Sequence, residues 1–231
     1  MKNLTPDALA KFFDHTLLKP FATTEDFRVL CNDAKQYGFM MVAINSAPVK
    51  LCKELLTGSD VKVGAAISFP LGQTTAATKV CETKNALYDG ADEIDYVVNL
   101  SELKSGNLRY IEDEMRGIVE LCREHGATSK VIFENCYLTD DEKKALCEIA
   151  LKVRPDFIKT STGFGSGGAT IEDIQLMIGM VGDAVKVKAS GGVRTLDMAL
   201  ELISLGVERI GSSASKEIVD AYRATGQEIS I

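Results

Sequence analysis

The sequence predicts an α/β protein built as a (β/α)8 (TIM) barrel with a short leading N-terminal helix. Three observations carry this. Helical and extended segments alternate along the chain without a linker or low-complexity stretch, which implies parallel strands joined by right-handed crossovers. Eight such units can be counted. The length of 231 residues matches the roughly 200 to 250 that a closed barrel usually takes. A doubly wound open sheet is the weaker alternative, because no Gly-x-Gly-x-x-Gly loop follows the first strand. Residues 1–231 are expected to form one barrel domain.

Each element has a local reason. A short helix is expected over 5–13, and a first strand over 14–18 that stops at Lys19-Pro20. Thr24 is expected to cap a helix that reaches Tyr37, where Gly38 ends it. The β-branched and apolar runs at 40–45, 61–68, 93–99 and 130–135 read as strands two to five. The helices between them are expected at about 48–56, 75–88 and 108–125, with the next starting near Thr139-Asp140-Asp141-Glu142. The sixth strand lies in Pro155-Asp156-Phe157-Ile158-Lys159-Thr160 and runs straight into a glycine-rich loop. Helices over 171–180, 196–205 and 216–223 alternate with strands over 184–189 and 207–211.

Composition narrows the function classes. A net charge of −7 and the absence of any Lys/Arg run argue against nucleic acid as a partner. No apolar run approaches the roughly 20 residues that cross a bilayer, and 1–6 leads into an acid-containing amphipathic segment, unlike a signal peptide. A cytoplasmic protein is expected, with Cys31, Cys52, Cys81, Cys122, Cys136 and Cys147 as free thiols. With only His15 and His125, and no Cys-x-x-Cys pair, an imidazole or thiolate metal site has almost no material. No metal or cofactor is expected.

Chemistry is signalled by lysine in buried company. Lys159 sits between Ile158 and Thr160 in an apolar strand, where an unpaired ammonium costs several kcal/mol or more. Strand alternation lets its partners be read by phase. With Lys159 inward, so are Phe157 and Ser161. The neighbouring strands then offer Glu93, Asp95 and Asn99 on the fourth, and Lys130 and Glu134 on the fifth. Asp14 and Thr16 share a face on the first, and Lys188 on the seventh brings Lys186 with it one layer deeper.

A free lysine has a pKa of about 10.4 and is protonated at neutral pH. A second ammonium at Lys188 and partial desolvation oppose that charge and free the Lys159 amine. The amine would attack a carbonyl to form a carbinolamine and then a protonated imine, an electron sink for carbon–carbon bond chemistry. Asp95, hydrogen-bonded to Lys188, would shuttle protons through a water. Anion recognition has separate signals in Ser190-Gly191-Gly192-Val193-Arg194-Thr195 and Gly211-Ser212-Ser213-Ala214-Ser215. Loops after strands seven and eight, beside a helix start, are the usual phosphate site of these barrels. The loop Gly163-Phe164-Gly165-Ser166-Gly167-Gly168 adjoins them.

With these residues assembled, the chain resembles the deoxyribose-phosphate aldolases, a class I (Schiff-base) family. The likeness runs through Asp14-His15-Thr16-Leu17-Leu18-Lys19, Gly90-Ala91-Asp92-Glu93-Ile94-Asp95 and Asp156-Phe157-Ile158-Lys159-Thr160-Ser161-Thr162-Gly163. It continues in Val187-Lys188-Ala189-Ser190-Gly191-Gly192-Val193-Arg194-Thr195. The resemblance implies a metal-free aldehyde-lyase of deoxyribonucleotide catabolism. Such an enzyme reversibly cleaves 2-deoxy-D-ribose 5-phosphate to acetaldehyde and D-glyceraldehyde 3-phosphate.

By similarity Lys159 is the Schiff-base lysine, Lys188 the second catalytic lysine and Asp95 the proton donor/acceptor. Asp14 and Lys130 match residues of the same polar centre. They join Thr160, Gly163, Gly191, Gly192, Arg194, Gly211, Ser212 and Ser213 in the expected substrate- and phosphate-binding set. A homodimer or higher homo-oligomer is expected.

Departures from the commoner family pattern are Lys186 for glycine, Asn135 for threonine, Ala43 for cysteine and Phe164 for a basic residue of some relatives. Lys186 would put an extra charge under Lys188, with Glu93 or Glu134 as partner, unless a bulge turns it outward. The rival functions are another phosphate-binding barrel enzyme such as a sugar-phosphate isomerase, another Schiff-base or metal-dependent aldolase, and a non-catalytic scaffold.

Overall fold

In the computed structural model, which describes residues 3–226 and 229–230, eight parallel strands close into a barrel. They are β1 (Phe13–Leu17), β2 (Met41–Asn45), β3 (Lys62–Ile67), β4 (Glu93–Val97), β5 (Thr128–Ile132), β6 (Phe157–Lys159), β7 (Lys186–Ser190) and β8 (Arg209–Ser212). Each pairs with the next in the sequence, and β8 returns to β1 with Asp14 opposite Gly211. The crossovers are α1 (Thr24–Tyr37), α2 (Val49–Leu55), α3 (Ala76–Tyr88), α4 (Leu108–Glu124), α5 (Asp140–Val153), α6 (Ile171–Val181), α7 (Leu196–Ser204) and α8 (Ser215–Thr225).

Alternation along the strands divides the interior into two unlike regions. Outward residues such as Val42, Ile44, Val63, Ile94, Val131, Ile158, Val187 and Ile210 join one buried apolar cluster with the helices. That layer supplies the hydrophobic stabilisation. The inward residues include a buried charged set: Asp14, Glu93, Asp95, Lys130, Lys159, Lys188 and Arg209. Gly64 leaves room for the Met41 side chain to cross the barrel, since a Cβ there would lie 2.3 Å from the Met41 sulfur. The same sulfur sits 3.6 Å from Lys130 Nζ and 3.7 Å from Arg209 Nη2.

Several boundaries differ from expectation for identifiable reasons. Thr23, not Thr24, caps α1, because Asp26 at the third helical position returns a hydrogen bond to the Thr23 backbone in a capping box. The fifth strand begins earlier, at Thr128, and stops at Ile132, since Glu134 takes a left-handed conformation with φ 57° and opens a 3-10 turn. Asn99 caps an unforeseen short helix, Leu100–Lys104, instead of facing the barrel interior. Asn3–Leu4 pairs antiparallel with Ile229–Ser230, and Gln227, Glu228 and Ile231 lie outside the described residues.

Lys186 fits neither of the two expectations for it. It shares the phase of Lys188 but lies at the amino-terminal mouth, where its side chain is 54% exposed and its Nζ pairs with Glu208 at 2.9 Å. Neither Glu93 nor Glu134 is its partner. Phe157 is buried, with Lys186 Nζ 5.7 Å and the Arg209 guanidinium carbon 5.8 Å from its ring. Among the described residues, no helix is long and apolar enough to cross a membrane.

Candidate active site

The strand register brings seven charged side chains into one cluster. Asp95 is opposite Lys130, and Lys159 is opposite Lys188. Asp95 is the hub. Its Oδ2 accepts from Lys159 Nζ at 2.9 Å and Lys188 Nζ at 2.7 Å, while its Oδ1 accepts from Lys130 Nζ at 2.7 Å. Lys188 also pairs with Asp14, and Lys130 with Glu93. Arg209 closes the ring, donating to Asp14 through Nε at 2.7 Å and to Glu93 through Nη2 at 3.0 Å.

Within the hydrogen-bonded ring the count is uneven: three carboxylates face four cations, while Glu134, a fourth buried carboxylate, acts on Lys159 from outside the ring. One cation is surplus, and electrostatics identifies it. Burial alone would raise the Asp95 carboxyl pKa, but Lys130, Lys159 and Lys188 together hold it well below the carboxylate range. Asp14 is likewise lowered, with Lys188 and Arg209 outweighing its burial. Lys130 moves above the ordinary lysine value, because Asp95 and Glu93 overcome its desolvation.

Lys159 moves the other way. Burial is the main cause and the Lys188 ammonium adds to it, so its pKa falls to about 8 despite the attraction of Asp95. At pH 7 about a tenth of it is free amine, roughly 300-fold more than for a lysine at its ordinary value.

Of the four cations, Lys159 alone reaches the cavity that opens above the cluster, a space of about 600 Å³. Thr162, Gly163 and Phe164 line it from the loop after β6. Gly191, Gly192 and Arg194 line it after β7, and Gly211, Ser212 and Ser213 at the end of β8. Gly191, at φ 82°, also presses on the β6 loop: a Cβ on Gly168 would lie 2.1 Å from the Gly191 carbonyl oxygen. The first turn of α8 points towards this end and carries no side-chain cap, so its N–H groups form a positive pole.

Three expected binding residues lie elsewhere. Asp14 and Lys130 are fully buried in the ion cluster below the cavity floor and do not line it. Thr160 faces outward and is also fully buried; its hydroxyl donates to Ser190 O and accepts from Ser190 N, both at 3.1 Å, tying β6 to β7. Alternation from Lys159 already places Thr160 on the opposite face.

Arg209 went unrecognised in the sequence, although its phase with Gly211 was available. Methionine at this position would leave Asp14 and Glu93 without their guanidinium. Arg209→Met should therefore lower stability by about 3–5 kcal/mol, measured by urea unfolding at pH 7.

Glu134, expected on the inward face of the fifth strand, holds the loop after β6 instead. Its buried carboxylate accepts from Thr162 N at 3.1 Å and from the Thr162 hydroxyl, which in turn accepts from Phe164 N at 3.0 Å. Burial raises its pKa despite those bonds. Glu134 thus pins the loop that walls the cavity beside Lys159. Amide exchange over 163–165 should rise at least about tenfold in Glu134→Ala and less in Glu134→Gln, whose carbonyl still accepts the Thr162 N–H. An unchanged rate in Glu134→Ala would mean that other contacts hold the loop.

A depressed lysine in a compensated ion cluster, at the carboxyl ends of barrel strands and beneath a glycine-lined anion cavity, defines a class of lysine-centred barrel enzymes. The chain belongs to the DeoC/LacD aldolase family, whose family model matches residues 8–215.

It is 52% identical over 219 residues to the deoxyribose-phosphate aldolase of Lactobacillus acidophilus, covering 95% of this chain and 92% of that relative. It is 50% identical over 221 residues to that of Bacteroides thetaiotaomicron, covering 96% and 93%. Among solved structures, the tetrameric deoxyribose phosphate aldolase of Aeropyrum pernix superposes with a TM-score of 0.86 at 31% identity, over 96% of this chain and 93% of that one.

Proposed function

We propose that the chain catalyses reversible class I aldol cleavage of 2-deoxy-D-ribose 5-phosphate to acetaldehyde and D-glyceraldehyde 3-phosphate. Lys159 is the Schiff-base nucleophile. The observation that carries its role is its position as the surplus cation of the cluster and the only one of the four exposed to the cavity.

The chemistry follows from the charge count. The Lys159 amine attacks the C1 aldehyde, and the carbinolamine loses water to give a protonated imine. That imine keeps the fourth positive charge next to Asp95. As the C3 hydroxyl loses its proton and the C2–C3 bond breaks, the bonding pair flows onto nitrogen and forms the enamine. Cleavage therefore moves the surplus charge from the imine nitrogen to the proton that Asp95 takes up, and the sum of the cluster stays at plus one. The strongly acidic Asp95 is a carboxylate at rest and acts first as acceptor. The Lys188 ammonium, held between Asp95 and Asp14, supplies the proton that returns to the enamine carbon and is recharged by the proton that Asp95 took up. Hydrolysis then releases acetaldehyde.

At the other end of the cavity, the amides of Gly191 and Gly192, the Ser212–Ser213 segment and the first turn of α8 receive the phosphate, with Arg194 and Lys19 at the rim. Their position after β7 and β8 supports this reading. We place the protein in the cytoplasm as a homo-oligomer. Sedimentation tests the assembly.

Borohydride reduction in the presence of acetaldehyde tests the function. The expected product is a mass adduct on the peptide that contains Lys159; no adduct, or one at Lys188, would overturn the assignment.

A further inference from the structure

His15 is not used in the chemistry above, yet it lies beside the phosphate end of the cavity. On β1 it faces away from Asp14 and Thr16 towards α8, is 7% exposed, and has its ring 4.8 Å from that of Phe39. Its Nδ1 is 2.6 Å from the hydroxyl of Ser215, the first residue of α8. The Ser215 hydroxyl has one proton; directed to the Ser212 carbonyl at 3.2 Å, it leaves Nδ1 as the donor to Ser215.

The bonds continue. The Ser212 hydroxyl donates to Val193 O at 2.7 Å and accepts from Ala214 N at 2.9 Å. One connected path thus joins β1, the start of α8, the end of β8 and the loop after β7. The last three bear the amides and hydroxyls assigned to phosphate, and α8 has no side-chain cap of its own to fix its first turn.

We propose that His15 is a positioning residue for the phosphate group: by donating to Ser215 it fixes the first turn of α8 and the Ser212–Ser213 segment in the geometry that receives the anion. This rests on the aldolase reading above. The groups around the ring are Asp33 and Glu217, which favour its charged form, and Lys216, which opposes it. Burial outweighs them and lowers its pKa to about 4, so the side chain works as a neutral donor across the physiological range. A neutral donor aligns the loop without drawing the anion away from the backbone amides.

The test compares kcat/KM for 2-deoxyribose 5-phosphate and for 2-deoxyribose, which lacks the phosphate. In His15→Leu and in Ser215→Ala the ratio of the two should fall about tenfold, through KM for the phosphorylated sugar. His15→Asn, which keeps a donor nitrogen at a similar reach, should restore most of the ratio. Ser215→Ala carries the test where His15→Leu fails to fold. Equal losses for both sugars, an unchanged ratio, or no rescue by asparagine would overturn the proposal. Acetaldehyde trapping separates the two levels of inference. A wild-type protein that takes no adduct overturns the aldolase reading and this proposal with it, whereas normal trapping with an unchanged ratio overturns this proposal alone.

Discussion

Lys159→Met is expected to take no acetaldehyde adduct, to cleave the sugar phosphate at least about 10⁴-fold more slowly, and to be more heat-stable than the parent at pH 7. The first two effects follow from loss of the nucleophile. The third follows from the charge count, because methionine keeps most of the volume and removes the cation in excess of the ring's three carboxylates. The pH dependence has a definite sign. A folded pKa of about 8, against 10.5 for an ordinary lysine, means that the folded form binds fewer protons between those values. The wild-type penalty is full below pH 8 and vanishes as pH approaches 10.5. The gap in Tm between variant and parent should therefore be widest below pH 8 and close above it. A variant less stable than the parent at pH 7 would contradict the surplus.

Lys188→Leu should move the acid limb of the pH–rate profile for imine formation upward by at least about one pH unit. In the parent, Lys159 shares Asp95 Oδ2 with Lys188, and both ammoniums are buried. Without Lys188, three cations face three carboxylates and Lys159 is no longer the odd charge. Burial and Lys130 still lower its pKa, but the larger repulsion, from Lys188, is gone. At pH 7 the amine fraction, and with it the rate of adduct formation, should drop about tenfold or more. A limb that stays in place would show that Lys159 is depressed by burial and Lys130 without help from Lys188.

Much of this site is readable in the sequence, because a lysine in a β-branched strand has few physical excuses and alternation then names the residues beside it. Phase led from Lys159 to Asp95, Lys130 and Lys188, and all four meet within hydrogen-bonding distance. Phase gives direction without depth, however. Lys186 points the same way as Lys188, but it stands at the strand start where the barrel opens to solvent. Thr160 was read by its neighbourhood to Lys159, when one step along a strand reverses the face. Arg209 was hidden by Glu208, which makes the pair look like a solvated strand end. The left-handed turn at Glu134 was invisible because Phe133-Glu134-Asn135 reads as plain extension, and only the distant Thr162 explains it. Thr23 and Thr24 both suit a cap, and Asp26 decides between them.

The odd membership of the ion cluster constrains how it can be inherited. Replacing any one of Asp14, Glu93, Lys130 or Arg209 with a neutral residue changes the sum and resets which lysine is free. Replacing a carboxylate and its own cation together, as with Glu93 and Arg209, leaves the sum at plus one and Lys159 still the amine. The cluster should therefore tolerate exchange two residues at a time, with the double substitution milder than either single one. Lineages that change this barrel interior would do so by compensated couples, across strands that are far apart in the chain.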